Sequence, residues 1–481
     1  MPDNQLLTIQ HVVHLMLENR SFDHLLGFLY ADSGNVSPAG AAFEGLAGQE
    51  SNLDSSQNPI SVFKINPTDS DAYFMPGADP GEGYANTNSQ LFGSGKAPVA
   101  TVATNAGFVI NFDATIAWDQ RVGRSVQAGT TAASIMGIFT PEALPILSGL
   151  ARGFAVCDHW FSSVPTETFP NRAFACAATS QGHMNDDTAS YTVQSIFGLM
   201  TAHNLTWKIY GYNEEPLTRK NFPDTTNAPD ASFGKFVDFT TDAAAGQLPQ
   251  YSFLEPSWGS SGNSQHPNYD VSLGEKLIHD VYYALRGGPG WDQTLLIITY
   301  DEHGGCYDHV PPPSGAVPPD DSPGEFGFDF TRFGVRVPAV LVSPLISAGT
   351  VFRVPAGSMP LDHTSVLKTV ETRWGLPSLT RRDAAAPDVG GALTLETPRT
   401  DDPLAGVTVP VSSGTNTATA EVSHIQQIDA QLTAALPVPA EQLRSAPVLQ
   451  AMRTPADYDG YTRSRTATWK AARGPTAAAP G

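Results

Sequence analysis

Cysteine is scarce in this sequence, and the scarcity excludes a disulfide framework. Only Cys157, Cys176 and Cys306 occur in 481 residues, so at least one thiol stays unpaired. No window reaches about 18 consecutive apolar residues, and the first residues lack a basic stretch followed by an apolar one. From the sequence as given we expect a soluble, cytoplasmic protein without a transmembrane segment, with secretion left open if a leader was removed.

Positive charge is the second shortage. The chain has 27 Lys and Arg against 48 Asp and Glu, a formal net charge of −21. Such a surface repels nucleic-acid phosphates and anionic membranes, so we expect no nucleic-acid partner. We also see no indication of an obligate protein partner. An anionic small-molecule substrate would need a local positive centre, which a bound metal ion would supply.

Apolar runs that alternate with amphipathic helices predict an α/β fold. The runs at residues 11–17 and 294–300 have the continuous apolar character of buried parallel strands, and helical spacing follows around Leu277 and Val370. The length would also allow two or three domains. We predict a three-layer domain at residues 1–385, with a mainly parallel central sheet covered by helices and with long loop insertions.

Two stretches lack this alternation. Residues 31–106 are rich in Gly, Pro, Ser, Asn and Asp, which predicts long loops that lie over the core and shape a pocket. Residues 386–481 form a predicted C-terminal extension, partly helical at residues 424–436 and frayed at its Ala/Pro/Gly end.

Two pairs of polar residues each follow a predicted strand directly: Glu18 with Asn19, and Asp301 with Glu302. The carboxyl ends of parallel strands share one edge of a sheet, where ligands bind in open α/β folds. The four side chains offer three carboxylates and one amide oxygen, a set suited to one divalent cation such as Mg²⁺, Ca²⁺ or Mn²⁺. Either pair alone could instead be solvated or cap the next helix.

A threonine at the start of a predicted helix supplies a candidate nucleophile. In SSVPTETFPNRAF, Thr168 precedes a helix whose positive end favours an anion, and metal coordination would activate its hydroxyl. Thr166 would serve equally well on these grounds, and a threonine at this place could simply cap the helix.

Three segments carry a family resemblance: VVHLMLENRSFDHLLGFL, FSSVPTETFPNR and LLIITYDEHGGCYDHVPPP. They resemble the signature segments of the bacterial phosphoesterase family that contains phosphatidylcholine-hydrolysing phospholipases C and a respiratory-burst-inhibiting acid phosphatase. That family belongs to the alkaline phosphatase superfamily. The similarity extends from Thr8 to Leu379, and three segments in the right order are far more specific than one.

The resemblance implies that the two polar pairs are metal ligands and that Thr168, rather than Thr166, is the nucleophile. It also indicates His266, in QHPNYD, as the first candidate for protonating the leaving group, with His309, in CYDHV, as the second. Arg172 could pair with substrate phosphate, or equally with a carboxylate.

One position departs from the family pattern. The family commonly carries a histidine in a DPGH segment, whereas this chain has DPGEGY with Glu82 at the matching place. An ionised carboxylate there would repel phosphate. Either Glu82 turns away, it holds another cation, or the substrate differs.

The resulting hypothesis is a metal-dependent hydrolase of phosphate esters that works through a phosphothreonine, most like a phospholipase C acting on a small-molecule or phospholipid ester. The alternatives are an acid phosphatase acting on monoesters, a sulfate-ester hydrolase, and a non-catalytic metal- or ligand-binding relative on the same scaffold.

Overall fold

A computed structural model describes residues 4–93, 102–259, 261–414, 421–438 and 449–473. The strands in these ranges are β1 (His11–Leu17), β2 (Ser51–Leu53), β3 (Pro59–Ser61), β4 (Phe63–Ile65), β5 (Gly137–Phe139), β6 (Ala155–Val156), β7 (Trp207–Gly211), β8 (Phe233–Lys235), β9 (Tyr251–Leu254), β10 (Thr294–Tyr300), β11 (Ala339–Val342) and β12 (Thr350–Val351). The α-helices in the same ranges are α1 (Phe22–Leu26), α2 (Tyr84–Phe92), α3 (Phe108–Val122), α4 (Pro145–Gly153), α5 (Thr168–Ala177), α6 (Ile196–Ala202), α7 (Pro223–Asn227), α8 (Phe236–Ala245), α9 (Val271–Arg286), α10 (Thr364–Trp374), α11 (Arg381–Ala385), α12 (His424–Ala435) and α13 (Pro455–Arg473).

The central sheet of the described residues has the strand order β12-β6-β11-β10-β1-β9-β7-β8. β1 is parallel to β10 and β9, and β7 is parallel to β9 and β8. β11 is antiparallel to both of its neighbours, β10 and β6. The predicted mainly parallel sheet is therefore confirmed, with β11 as its reversed strand.

Helices cover this sheet on both faces. Every residue of β10 is buried, and so is every residue of β1 after His11, because neither strand alternates apolar with polar residues. α9 packs against α4 and α8, while α5 packs against α6 and α10. The predicted α/β class is thus confirmed. Within the described ranges we find no helix with both the length and the apolar character needed to cross a bilayer.

The pairing of β1 with β10 brings the predicted polar pairs together. His11 lies opposite Thr294, and the register continues without interruption to Leu17 opposite Tyr300. The two strands therefore end at the same level. The residues that follow, Glu18 and Asp301, emerge side by side at the carboxyl edge of the sheet.

The loop insertion predicted at residues 31–106 also contains regular structure. It includes the nine-residue helix α2 and the strands β2, β3 and β4, each of three residues. β2 pairs with β3, and β4 pairs with β5, in two small sheets. Elements this short show too few periods to be recognised from the sequence. Residues 94–101 lie outside the described residues.

The C-terminal extension is largely helical where the structure describes it. α12 corresponds to the helix predicted at residues 424–436, and it packs against the 19-residue α13, which the sequence pattern did not indicate. Lys220 joins α12 to the main body through Asp429 and Thr433, the latter at 2.9 Å. The boundary at residue 385 stays a prediction, and the predicted frayed end, at residues 474–481, lies outside the described residues.

Candidate active site

The two polar pairs share hydrogen bonds at the sheet edge. The backbone N–H groups of Asn19 and Glu302 both donate to Asp301 Oδ1, each at 2.9 Å. Asn19 has a positive φ of 54°, which turns the chain sharply after β1. Glu18, Asn19, Asp301 and Glu302 are each at most 1% exposed. The structure thus brings all four predicted ligands into one buried cluster.

Thr168 is the first residue of α5 and faces this cluster. Its Oγ1 donates to Asn19 Oδ1 at 3.3 Å, and the residue is 1% exposed. The helix starts here because Asp186 Oδ1 accepts the Phe169 N–H at 2.8 Å, and because the Asn171 amide ties down the preceding turn. Thr166 differs, since its hydroxyl donates to the Met184 carbonyl at 2.7 Å.

The negatively charged form of the carboxylates in this buried cluster is unfavourable without a cation. Burial raises the pKa of Glu302 well above its ordinary value, and the charge of Asp301 raises it further. Burial also raises the pKa of Glu18. Glu18 Oε1 and Glu302 Oε1 are buried and accept no hydrogen bond from the described residues. Two unpartnered carboxylate oxygens beside an amide oxygen are what a hard divalent cation would need.

Arg172, on the second turn of α5, contacts the cluster through Asp301. Its Nε donates to Asp301 Oδ2 at 2.8 Å, and its Nη2 donates to the Leu17 carbonyl at 3.1 Å. The guanidinium lies 4.7 Å from the Trp258 ring, and Nη1 has no partner among the described residues. Of the two roles considered for Arg172, the geometry shows the pairing with a carboxylate.

Glu82 does not turn away from the site. Its Oε2 accepts a 2.5 Å hydrogen bond from Asn19 Nδ2. Burial raises the pKa of Glu82 well above its ordinary value, and the charges of Glu302 and Asp79 add to the effect. Of the three explanations for this departure from the family pattern, a bound cation and a different substrate remain.

His266 lies in the same cavity as Thr168, whereas His309 does not line it. His266 Nδ1 donates to the Pro267 carbonyl at 2.9 Å, which leaves Nε2 for a ligand, 3.9 Å from Asp79 Oδ1. The ring stacks on Tyr269 with 4.8 Å between centroids.

His309 belongs to a separate buried charge network. Its Nδ1 lies 2.6 Å from Asp23 Oδ2, and Arg336 donates to Asp23 and to Asp308, each at 2.9 Å. Burial alone would lower the pKa of His309. The hydrogen bond to Asp23 and the charge of Asp23 raise it by more than burial lowers it, so the pKa lies above its ordinary value. The His309 backbone N–H also donates to Asp23 Oδ2 at 2.6 Å, and these two contacts favour a structural role.

A cavity of about 910 Å³ opens over Glu18 and Thr168. Its wall combines residues from the loop before α2, from α3, from the loop before α9, and from the start of α12. The aromatic residues among them are Trp118 and Tyr269.

Three residues near Thr168 were missed by sequence reasoning: Glu167, Asp186 and His424. Glu167 and His424 line the cavity, while Asp186 holds the start of α5. Asp186 lies in an irregular loop, and His424 comes from the C-terminal extension, so neither follows an apolar strand or stands in a segment with the resemblance. Only Glu167, adjacent to Thr168, carried a usable signal.

The fold and this site define a class: α/β proteins in which a buried hydroxyl meets carboxylate and amide oxygens at the carboxyl edge of a parallel sheet. Comparison with known proteins specifies the class further. Residues 9–377 match the model of the Phosphoesterase family. The chain belongs to the phosphoesterase family, and it is a phosphoric ester hydrolase by class, as the sequence analysis predicted.

Relatives come from plants and from bacteria. Non-specific phospholipase C6 of Arabidopsis thaliana is 37% identical over 423 residues, covering 82% of this chain and 74% of the relative. Phospholipase C A of Mycobacterium tuberculosis is 29% identical over 443 residues, covering 82% of this chain and 78% of the relative.

Solved structures show a more distant similarity. A protein in the alkaline phosphatase superfamily from Vibrio parahaemolyticus is 12% identical, with a TM-score of 0.31, over 53% of this chain and 65% of that one. Phosphonate monoester hydrolase of Agrobacterium radiobacter is 11% identical, with a TM-score of 0.30, over 52% of this chain and 72% of that one.

Proposed function

We propose that this protein is a phospholipase C-like phosphodiesterase that works through a phosphothreonine at Thr168. The observation that carries the proposal is the 3.3 Å contact between Thr168 Oγ1 and Asn19 Oδ1 at the buried sheet edge. A protein that only bound a metal would have no physical need for a hydroxyl held at that point.

One divalent cation fits the sheet-edge cluster. Glu18, Asn19, Asp301 and Glu302 would hold it, and the unpartnered oxygens Glu18 Oε1 and Glu302 Oε1 are the observation that supports this. When bound, the cation would lower the pKa of a coordinated hydroxyl and offset charge on phosphoryl oxygens. Mg²⁺, Ca²⁺ and Mn²⁺ all suit this donor set.

In the first step the Thr168 hydroxyl releases its proton to solvent, its oxygen forms a bond to phosphorus, and the bond from phosphorus to the leaving alkoxide breaks. Thr168 stands at the positive end of the ten-residue helix α5, which favours the anionic phosphoryl group. His266 Nε2 would donate a proton to the departing alkoxide, since Nδ1 is committed to the Pro267 carbonyl.

In the second step water attacks the phosphothreonine. The same His266 nitrogen would accept the proton of the water as the bond between Thr168 and phosphorus breaks. The freed Thr168 oxygen takes up a proton from solvent, which returns the hydroxyl. Arg172 and Asp186 act as positioning residues in this scheme. The first orients the Asp301 carboxylate, and the second fixes the first turn of α5.

The relatives and the cavity support the proposed substrate class. The relatives named above are phospholipases C. The cavity, at about 910 Å³, is far larger than a phosphate group, and Trp118, Tyr269, Asp79 and Glu421 on its wall would suit a cationic head group.

The test compares Thr168→Ala with Thr168→Ser. Turnover of p-nitrophenyl phosphorylcholine should fall by about 10³-fold or more in the alanine variant, while the serine variant should retain part of it. An acid-quenched reaction of the native protein should show the mass of one added phosphocholine group on the peptide that contains Thr168. Native turnover by the alanine variant would refute the proposal. Parallel assays with p-nitrophenyl phosphate and p-nitrophenyl sulfate would reveal a monoesterase or a sulfatase instead.

A further inference from the structure

A second group of metal-ligating side chains lies beside the sheet-edge cluster. Glu82, Asp186 and His424 each present one ligand atom, and these atoms all lie within 4.8 Å of one another. The three residues come from distant segments of the chain: the loop before α2, the loop after α5, and the first residue of α12.

Asp186 points a buried, unpartnered oxygen into this group. The residue is 4% exposed, and its Oδ1 accepts the Phe169 N–H at 2.8 Å. Its Oδ2 accepts no hydrogen bond from the described residues and lies 3.5 Å from His424 Nδ1. A buried carboxylate oxygen that accepts no hydrogen bond is costly, so this oxygen points to a missing ligand.

The buried carboxylates near His309 differ from this group, because an arginine is paired with them. Asp23, Asp308 and His309 are clustered equally closely, but Arg336 donates to both carboxylates. In contrast, no lysine or arginine of the described residues forms an ion pair with Glu82 or Asp186. Among these residues, neither carboxylate is therefore paired with a permanent positive charge.

We propose that Glu82, Asp186 and His424 bind a second divalent cation next to the sheet-edge site. Two carboxylate oxygens and one imidazole nitrogen suit Mn²⁺ or Zn²⁺. Asn19 connects the two sites, because its Oδ1 accepts from Thr168 while its Nδ2 donates to Glu82. The proposal does not depend on Thr168 being the nucleophile.

A cation at this place would also account for Glu82. A carboxylate alone would repel a phosphate group where the family commonly carries histidine. With a divalent cation bound, the same position would present positive charge to the substrate. His424 lies outside the segment that matches the family model, so this ligand comes from the C-terminal extension.

The test counts bound Mn²⁺ on the full-length protein after removal of metals with a chelator. Equilibrium dialysis should give two Mn²⁺ per chain for the native protein and one for His424→Gln or Asp186→Asn. Asparagine keeps an oxygen that can accept the Phe169 N–H. The control is His183→Gln, which removes another partly exposed histidine, paired with Glu325 at 3.1 Å, and should retain both ions.

Electron paramagnetic resonance gives a readout that is independent of activity, because two neighbouring Mn²⁺ ions broaden each other's signal. A native protein that binds a single Mn²⁺, or a His424→Gln variant that still binds two, would overturn the proposal. If Asp186→Asn fails to fold, His424→Gln carries the test, since that side chain is 55% exposed.

Glu302→Gln separates this proposal from the sheet-edge one. It should lose the sheet-edge ion and keep the ion at Glu82, Asp186 and His424. If Glu302→Gln retains both ions while His424→Gln loses one, the second site stands and the sheet-edge assignment fails.

Discussion

Replacing Arg172 with methionine should destabilise the protein strongly. Arg172 Nε and Asp301 Oδ2 form a 2.8 Å ion pair in which the side chains are only 6% and 0% exposed. Methionine would fill much of the space but leave the buried Asp301 carboxylate without its positively charged partner, which typically costs about 3–5 kcal/mol. The lost hydrogen bond to the Leu17 carbonyl and the lost contact with Trp258 act in the same direction.

A matched control exists on the surface. Arg381 and Asp321 also form a 2.8 Å ion pair, but their side chains are 55% and 95% exposed. Arg381→Met should therefore cost only about 0–1 kcal/mol. The two variants remove the same chemical group at the same distance, so the difference between them isolates the effect of burial.

Urea unfolding of the chelator-treated proteins, followed by circular dichroism, measures both losses. We expect Arg172→Met to lose at least about 2 kcal/mol more than Arg381→Met, and added Mn²⁺ to reduce that difference, because a cation would share the Asp301 charge. Equal losses in the two variants would refute the reasoning. Arg172→Lys should fall between the native protein and Arg172→Met, since it keeps the charge but not the planar donors.

Three further predictions concern neighbouring groups. Thr166→Ala should lose about 1 kcal/mol of stability, because the Thr166 hydroxyl donates a hydrogen bond to the Met184 carbonyl. Its kcat should stay within about twofold of the native value in steady-state assays. A large loss of kcat would contradict the assignment of Thr168 as the nucleophile. Burial, then the charge of Asp301, raises the pKa of Glu302 above the ordinary 4.5, so the metal-free folded state holds that proton more tightly than the unfolded chain. Its stability contribution is full below about pH 4.5 and is lost as pH rises through the folded pKa. The Tm of the chelated protein should therefore fall as pH rises above about 4.5, and added Mn²⁺ should restore it; a Tm that rises with pH would be inconsistent. Glu82→Gln removes a carboxyl group that burial makes costly to ionise and should raise Tm of the metal-free protein at neutral pH, whereas a lower Tm would show that the carboxylate is already compensated.

The parts of the site that could be predicted are those that follow long strands. The apolar runs at β1 and β10 were visible, and parallel pairing alone implied that Glu18-Asn19 and Asp301-Glu302 would meet. Hydrogen bonds at 2.9 Å onto Asp301 now show that meeting. The placement of Thr168 at the start of α5 was equally accessible, because a helix pattern follows it directly.

Other features depend on tertiary contacts that leave no local pattern. Asp186 lies in an irregular loop, and its function as a cap for α5 is visible only once Phe169 N is seen to donate to it. His309 shows the converse, because a histidine in a segment with family resemblance contacts Asp23 and does not line the cavity. The short strands β2 to β4 and the polar helix α13 lack the hydrophobic periodicity that would predict them from the sequence.

The shared end point of β1 and β10 makes the carboxyl edge of the sheet tolerant of some changes and intolerant of others. Insertions in the turns beyond Asn19 or Glu302 would leave these residues and their neighbours at the strand ends, where the hydrogen bonds between β1 and β10 hold them. Deletion of a single residue within Thr294–Tyr300 would instead reverse which face each later side chain occupies, and Asp301 would then be directed away from Asn19. Natural variation in this lineage should therefore accumulate as turns of different length around two strands of constant length.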